Sequence, residues 1–320
     1  MRHLSEFLRE TKSVVFVNPV AGAGRTERRL RPVLGAFEQM EMAPEFVVAA
    51  SVADMEAHVR ASVAQGARLL FAMGGDGTVQ ALVNAVGVTR WFADGVVIGI
   101  VPSGGGNDFA AALRLPNDPV AAVRAALRGA PQAVDLLRAQ TADGAERLYV
   151  GGGGVGLDVE ASRYASRQFQ KWPGRWRYVA SALRAWRNFE PLPVRVEFPD
   201  NDQPEMKERV LLAGALNSPS YGAGLRVAKG ARIDDGLMDV ALVKCLGMAE
   251  VAGLAPRLLL SGELPGEYLI RRKARNVILR TERPSLFHAD GEIIGSAPVR
   301  IEVLPRAMRF LAPIFTPIEN

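Results

Sequence analysis

Residues 71–84 read FAMGGDGTVQALVN, an apolar run that ends in three glycines around one aspartate and continues at once as an amphipathic stretch. Glycine permits close backbone approach and positive φ, while a helix N-terminus presents unpaired N–H groups and the positive end of its dipole. A buried strand that leads through such a turn into a helix is typical of a phosphate site. The segment therefore predicts a strand, a phosphate-binding loop and a helix, in that order.

The segments around this loop alternate between strand and helix patterns. Strands are predicted at SVVFVN (13–18), EFVVAAS (45–51), RLLFAM (68–73) and GVVIGIVP (95–102), with helices between and after them. Apolar strands separated by helices indicate a parallel sheet covered on both faces, with ligands beyond the carboxyl ends of the strands. Residues 1–132 are therefore predicted to form an α/β nucleotide-binding domain with a Rossmann-like parallel sheet.

Beyond residue 132 the pattern changes to short apolar stretches separated by turn residues, typical of an antiparallel sandwich or barrel. Residues 133–305 are predicted to form an all-β sandwich or barrel domain, interrupted by helices near 158–189 and 248–261. Residues 306–320 contain MRFLAPIF, which is predicted either as a last strand or as a return to the first domain.

Composition limits the possible functions. Of 320 residues, 48% are hydrophobic and 23% are charged, as in ordinary globular proteins. The single cysteine, Cys245, excludes an internal disulfide and a cysteine zinc site, and it is predicted to be a buried thiol. The charged N-terminus lacks the apolar core of a secretory signal, and no stretch resembles a membrane span, so a soluble, cytoplasmic protein is expected. The net charge of +5 suits a polyanionic partner: a nucleotide, an anionic lipid surface or a nucleic acid.

The loop GGDGT carries the first candidate site residues. The backbone N–H groups of Gly74, Gly75 and Gly77 are predicted to reach phosphate oxygens. Asp76 would bind Mg²⁺ or position the phosphates, and Thr78 would cap the helix. The alternative is a tight turn in which Asp76 or Thr78 is only an N-cap. Three glycine-rich loops at equivalent strand ends favour phosphate binding.

The other two loops are NPVAGAGR (18–25) and PSGGGND (102–108). In the first, Asn18 is predicted to orient the turn and Arg25 to face a phosphate; the alternative is an arginine on a solvated helix face. In the second, Ser103 and Asn107 are candidate phosphate or ribose contacts, although Asn107 also fits a simple helix cap.

The segment HADGEIIG (288–295) brings two carboxylates two residues apart. On a regular strand Asp290 and Glu292 would share one face, and the intervening Gly291 indicates a bend. A carboxylate here could accept a proton from a substrate hydroxyl or hold a second Mg²⁺. An ordinary Asp-Gly hairpin turn is the alternative.

Two further segments have open interpretations. ARIDDGLMD (231–239) could hold a hard cation through carboxylates and carbonyls, or form a type I turn. RYASRQFQKWPGRWRYVASALRAWRNF (163–189) mixes basic residues with Trp172, Trp176 and Trp186. It suits an anionic lipid surface or single-stranded nucleic acid, or else a helix with buried tryptophans.

In this order, NPVAG, GGDGT, PSGGGNDFA, GGVGLD, IDDGLMDV and DGE resemble the diacylglycerol kinase catalytic family, in particular the bacterial soluble lipid kinases. The resemblance implies an α/β nucleotide domain, a C-terminal β-sandwich and transfer of the γ-phosphoryl group of MgATP to a lipid hydroxyl. It implies Glu292 as proton acceptor, with Asp290 and Asp76 as the other catalytic residues. It carries the nucleotide-binding role to Asn18, Pro19, Gly22 and the segment Gly74, Gly75, Asp76, Gly77, Thr78, Val79 and Gln80. Further candidate nucleotide-binding positions in and beside the three loops are Val20, Ala21, Arg25, Ser51, Ser103, Gly105 and Asn107.

The resemblance also implies cofactors and partners. ATP and Mg²⁺ are the expected cofactors, and a structural divalent cation is expected at Asp235 and main-chain oxygens near Arg232 and Leu237. The expected partners are a membrane lipid substrate and an anionic membrane surface that the protein contacts peripherally, with no nucleic acid.

Four positions depart from the family pattern. This chain has Ala21 where the family usually has serine, Ala81 for glutamate, Gly105 for threonine and Gly151 for asparagine. Each lost polar contact could cost about 1.5–3 kcal/mol. Because GGDGT and DGE are retained, an active kinase is predicted. The alternatives are an NAD kinase, whose family also uses GGDGT, and a non-catalytic module that senses nucleotide or lipid.

Overall fold

The computed structural model describes residues 10–24, 26–169, 176–200, 203–222 and 224–314. The chain divides into two compact units, Met1–Val134 with Arg306–Asn320, and Asp135–Pro305. The first unit is an α/β structure and the second is rich in antiparallel strands, which confirms the predicted fold class.

The sheet of the first unit is parallel, as its apolar strands predict. Its strands are β1 (Ser13–Val17), β2 (Glu45–Val48), β3 (Leu69–Gly74) and β4 (Val97–Pro102), in the order β2-β1-β3-β4. The last part of the final strand, β15 (Val299–Ala312), pairs in parallel with β4 through Arg309 and Phe310. The C-terminal segment therefore returns to the α/β unit.

Every residue of β1, β3 and β4 is buried, because helices cover this sheet. These helices are α1 (Ala21–Gly24), α2 (Thr26–Gln39), α3 (Val52–Ala64), α4 (Asp76–Asp94), α5 (Asp108–Ala112) and α6 (Pro119–Leu127). Helix α2 packs against α6, and α3 packs against α4. Helix α4 has a kink at Gly87, where the backbone is non-helical (φ 66°).

The second unit is built mainly from antiparallel strands, with β5 (Ala130–Gln140) leading into it. They are β6 (Glu146–Tyr149), β7 (Gly152–Gly156), β8 (Leu192–Glu197), β9 (Met206–Leu216), β10 (Met238–Lys244), β11 (Leu269–Ala274), β12 (Asn276–Thr281), β13 (Leu286–Ala289), β14 (Glu292–Ser296) and the first part of β15. Strand β9 is central, because it pairs with β7, β8 and β10. Its side chains alternate between two cores: Ala213 and Ala215 contribute to one, Leu212 and Leu216 to the other.

The described residues of this unit include three α-helices: α7 (Leu157–Arg167), α8 (Trp176–Trp186) and α9 (Met248–Ser261). They confirm both predicted helical interruptions. Trp186 and Leu258 pack against the core that contains Leu212, so Trp186 contributes to packing. Trp172 lies outside the described residues. Among the helices of the described ranges, none combines the length and hydropathy needed to cross a membrane.

The exposure of Cys245 differs from the predicted burial of its thiol. The residue is exposed, and its thiol donates to the carbonyl oxygen of Arg209 at 3.1 Å. It follows the last residue of β10, where the buried pattern of the strand has already ended. The prediction of a buried thiol was therefore wrong.

Candidate active site

Three glycine-rich loops of the first unit meet at the carboxyl edge of its sheet. They follow β1, β3 and β4, which are neighbours, and we call residues 18–24, 74–78 and 102–108 the three-loop cluster. The Asn18 N–H donates to the Met73 carbonyl at 3.0 Å, and the Ser103 N–H donates to the Gly74 carbonyl at 2.9 Å. The middle loop is thus hydrogen-bonded to both of its neighbours.

The second and third loops touch through their glycines. A Cβ at Gly104 would lie 2.5 Å from the Cα of Gly75 and 2.8 Å from Oδ1 of Asn107. A Cβ at Gly75 would in turn lie 3.2 Å from the Cα of Gly104. Only glycine at position 104 lets the two backbones approach this closely.

Asn18 and Thr78 join the first loop to the second. The Asn18 Nδ2 donates to Thr78 Oγ1 at 3.1 Å, and its Oδ1 accepts the Val20 N–H at 3.2 Å. The side chain of Thr78 also fills the space beside Gly74, because a Cβ there would lie 2.1 Å from Thr78 Oγ1. Asn18 thus holds both its own turn and the first turn of α4.

Asp76 connects the second loop with the third. Its Oδ2 accepts the Asp108 N–H at 3.2 Å, and its Oδ1 accepts the Phe109 N–H at 3.1 Å, so it caps α5 rather than its own helix. Burial raises the pKa of the Asp76 carboxyl, and the backbone N–H groups offset part of that rise. A half-buried carboxylate at the meeting point of two glycine-rich loops can order both of them.

Two side chains that the sequence predicts as nucleotide contacts instead hold the third loop in its conformation. Asn107 has φ 61°, its Oδ1 accepts the Gly104 N–H at 3.1 Å, and its Nδ2 donates to Asn117 Oδ1 at 2.8 Å. Ser103 is fully buried, and its hydroxyl oxygen accepts a hydrogen bond from Thr26 Oγ1 at 3.3 Å. Both side chains shape the loop from within.

The other predicted nucleotide positions fall in or beside the cluster. Ser51 caps α3, where its Oγ accepts the Asp54 N–H at 3.1 Å. It follows β2, the strand next to β1, and so lies at the same edge of the sheet. The remaining described positions are Pro19, Val20, Ala21 and Gly22 in the first loop, Gly77 in the second, Gly105 in the third, and Val79 and Gln80 in α4. Arg25 lies outside the described residues.

In the second unit, Asp290 is an internal anchor. Its Oδ2 accepts the Val150 N–H at 2.7 Å, and its Oδ1 accepts the N–H groups of Gly151 and Gly152, each at 3.0 Å. Asp290 itself is 6% exposed and has φ 45°. The carboxylate therefore ties the turn between β13 and β14 to the start of β7.

This anchor accounts for the glycine at position 151. A Cβ there would lie 2.9 Å from Asp290 Oδ1 and 3.7 Å from Ser218 Oγ. The 2.9 Å approach is closer than real Cβ contacts, so a side chain at 151 would displace the Asp290 carboxylate. The departure from the family pattern at Gly151 is thus coupled to the inward position of Asp290.

Glu292 begins β14 and is exposed, so the two carboxylates do not share a face. The bend at Gly291, with φ 100°, separates their directions. Although the Glu292 side chain is exposed as a whole, neighbouring atoms remove part of the water around its carboxyl, which raises the pKa of Glu292 above its ordinary value of 4.5. The positive charge of Arg147 offsets part of that rise. Glu292 is available at the surface of its unit, whereas Asp290 is used internally.

Sequence reasoning missed a buried polar network beside this turn. Tyr221 Oη donates to Asp158 Oδ2 at 2.6 Å and lies 3.0 Å from His288 Nδ1. Burial raises the pKa of Asp158 and lowers the pKa of His288. Asp158 and His288 stand inside the motifs GGVGLD and HADGE, which gave a signal for them, but nothing in the sequence marked Tyr221.

The predicted cation site fits a divalent ion poorly. Asp235 Oδ1 accepts the Leu237 N–H at 3.1 Å, while the Lys273 ammonium lies 2.6 Å from Asp235 Oδ2. The Arg232 side chain pairs with Asp234 at 3.2 Å. In the part of the chain that the structure describes, no three or more acidic, histidine or cysteine residues are grouped to hold a metal. The ammonium of Lys273 occupies one oxygen of Asp235, the one carboxylate predicted to bind the cation. A positive charge at that place does not fit a divalent cation, which needs oxygen ligands.

Comparison with known proteins places the chain in a family. Residues 12–139 match the diacylglycerol kinase catalytic domain, and residues 153–312 match the YegS C-terminal NAD kinase beta sandwich-like domain. A protein of Mycobacterium tuberculosis (strain ATCC 25618 / H37Rv) named diacylglycerol kinase is 27% identical, with 94% of this chain and 95% of the relative covered. A probable lipid kinase YegS-like protein of Stenotrophomonas maltophilia (strain K279a) is 29% identical, with 92% and 94% covered.

The fold has a close counterpart among solved structures. The crystal structure of a putative diacylglycerol kinase from Bacillus anthracis str. Sterne has a TM-score of 0.75 at 21% identity, covering 96% of this chain and 98% of that one. At this identity the likeness concerns the fold alone. With the two domain matches, the chain belongs to the lipid kinase family defined by the diacylglycerol kinase catalytic domain, as its motifs predicted.

Proposed function

We propose that this protein transfers the γ-phosphoryl group of MgATP to the hydroxyl of a diacylglycerol-like lipid. The observation that carries the proposal is the three-loop cluster, in which Gly75, Gly104 and Asp76 hold GGDGT against the next loop. Glycine-rich backbone at the N-terminus of α4 is suited to the phosphates of a nucleotide. Family membership makes ATP the expected nucleotide.

In this proposal the cluster binds MgATP as substrate. Backbone N–H groups of GGDGT and the N-terminal end of α4 bind the phosphates, while Asn18 keeps Thr78 in place. Asp76 holds the second and third loops in register and adds a negative charge near the metal ion of MgATP. Catalysis of phosphoryl transfer depends mainly on this kind of positioning and electrostatic stabilisation.

Glu292 is proposed to act as the general base. It accepts the proton of the lipid hydroxyl while that oxygen forms a bond to the γ-phosphorus. The bond between the γ-phosphorus and the bridging oxygen of ADP breaks, and ADP leaves with its electron pair. The raised pKa of Glu292 suits this role, because a base is most effective when its pKa approaches the working pH.

Asp290 is proposed as a positioning residue rather than a second base. Its two oxygens are engaged by three backbone N–H groups, which fixes the turn that carries Glu292. An acidic side chain with this many donors has little capacity left for a proton from substrate.

Peripheral contact with an anionic membrane surface in the cytoplasm is proposed as the route to the lipid. The net charge of +5 favours such a surface. Leu183 of α8 is 52% exposed and Leu260 of α9 is 88% exposed, and both belong to the second unit. Apolar side chains exposed on helices suit contact with a membrane interface.

The proposal is tested by transfer of label from [γ-³²P]ATP into a panel of lipid micelles with Mg²⁺ present. Wild type is expected to label one lipid class, Asp76→Ala and Glu292→Gln to label none, and Glu282→Gln to behave as wild type. Glu282 is a matched control, since it is another exposed glutamate of the second unit. Absence of label in every lipid, from folded protein that binds liposomes, would favour a sensing module instead.

A further inference from the structure

The register of two strands fixes a lysine beside the loop Ala231–Asp239. Asp239 of β10 lies directly opposite Lys273 of β11 in their antiparallel pair. From this position the Lys273 ammonium lies 2.6 Å from Asp235 Oδ2 and 3.7 Å from Asp239 Oδ2. The pairing of β10 with β11 therefore holds the lysine beside the loop.

Each carboxylate of this loop already has a cationic partner. The pairs are Lys273 with Asp235, Arg271 with Asp239 at 2.9 Å, and Arg232 with Asp234 at 3.2 Å. The neighbouring Asp135 of β5 is fully buried, and its Oδ2 accepts the Gly236 N–H at 2.6 Å. The acidic side chains that face the loop are thus satisfied by this chain's own groups.

Lys273 is suited to supply a permanent positive charge beside these carboxylates. A lysine side chain is positively charged at neutral pH, and here two carboxylates face its ammonium group. A divalent cation binds carboxylate oxygens at about 2.0–2.6 Å, the distance range that the ammonium already occupies on Asp235. The cation and the ammonium would repel each other if both were bound there.

We infer that the Lys273 ammonium takes the place of a divalent cation in the loop Ala231–Asp239, which therefore keeps its shape without a metal ion. The inference goes beyond the proposed function, which needs Mg²⁺ only as part of MgATP. It predicts that the fold of this chain is insensitive to chelation, whether or not the protein transfers phosphate.

Thermal unfolding of the full chain without nucleotide, in EDTA and in excess MgCl₂, tests the inference. Wild type is expected to have the same Tm in both. Lys273→Met, which keeps most of the stem and removes the charge, is expected to have a lower Tm in EDTA and to recover it with Mg²⁺. Lys207→Met is the matched control, since it breaks a surface ion pair with Glu205, and its Tm is expected to be independent of Mg²⁺.

Two outcomes would overturn the inference. One is a wild-type Tm that falls in EDTA, because the loop would then hold a metal ion with Lys273 present. The other is a folded Lys273→Met variant without any Mg²⁺ response, because the ammonium would then not stand at a cation site. If that variant does not fold, Mn²⁺ titration of wild type and Asp235→Asn decides: equal binding is expected, and loss of a bound Mn²⁺ in the variant overturns it.

Discussion

At the residue scale, the carboxylates of GGDGT and DGE are distinguished by their hydrogen-bond partners. Asp76 and Asp290 accept backbone N–H groups, whereas Glu292 is exposed. The motifs make these three carboxylates candidate site residues, but they do not predict that Asp290 turns inward. That position depends on the amide groups of residues 150–152, which are distant in sequence and leave no trace in the local DGE pattern.

The replacement Asp290→Asn should destabilise the protein by about 1.5–3 kcal/mol, because an amide cannot accept on both of its polar atoms and a charge-assisted bond is lost. Urea unfolding monitored by circular dichroism measures the change. Asp118→Asn is the control: Asp118 caps α6 through the Ala121 N–H, and asparagine caps equally well. Equal stability of both variants would contradict the anchor role of Asp290.

The pH dependence of the proposed kinase should reflect Glu292. A general base must be deprotonated, so kcat/KM falls as the pH drops through its pKa, and this acid limb should lie above pH 4.5. Because Arg147 lowers the pKa of Glu292, Arg147→Gln should move the limb to higher pH. A limb that stays in place in Arg147→Gln, or moves to lower pH, would exclude this coupling.

The network around Tyr221 should contribute mainly to stability. Tyr221→Phe removes the donor to Asp158 Oδ2 in a buried environment, which should cost about 1–3 kcal/mol. Tyr268→Phe loses a hydroxyl contact with Glu250 at the surface and should cost little. Differential scanning calorimetry of the two variants compares them, and an equal loss in both would count against a buried role for the Tyr221 hydroxyl.

At the scale of elements, most strands and helices followed from hydrophobic periodicity. The apolar runs of β1, β3 and β4 predicted a parallel sheet, since fully buried strands have no polar face. Strand β11, LIRRKA, gives a weak sequence signal, because Ala274 is its one buried residue and three of its six residues are basic. Its partner β10 pairs with it across the loop and α9, a distance at which local periodicity carries no signal.

The close contact between two loops gives a prediction for the nucleotide site. Gly104→Ala should push the third loop away from Gly75 and lower the affinity for ATP, because its Cβ would meet backbone at 2.5 Å. Gly35→Ala, with open space around its Cβ in α2, should keep ATP affinity and raise stability by about 0.5–1 kcal/mol. Fluorescent-nucleotide titration compares both variants with wild type, and unchanged affinity in Gly104→Ala would argue against the three-loop cluster as the site.

At the scale of the whole molecule, the order of motifs along the chain predicted the family better than any single motif did. GGDGT lies in the α/β unit and DGE lies in the β-rich unit. Taken alone, the sequence of each motif also fits an ordinary turn or helix cap. The return of β15 to the first sheet was left open by the sequence, because its apolar pattern is the same beside either sheet.

Lipid kinase activity is tested by measuring ADP release from the wild-type protein with MgATP and three acceptors: diacylglycerol-like lipid micelles, NAD and water. We expect ADP release with the lipid alone, and one phosphorylated lipid, identified by mass spectrometry, for each ADP formed. Release with NAD instead of lipid, or no release above the water control from folded protein, would contradict it.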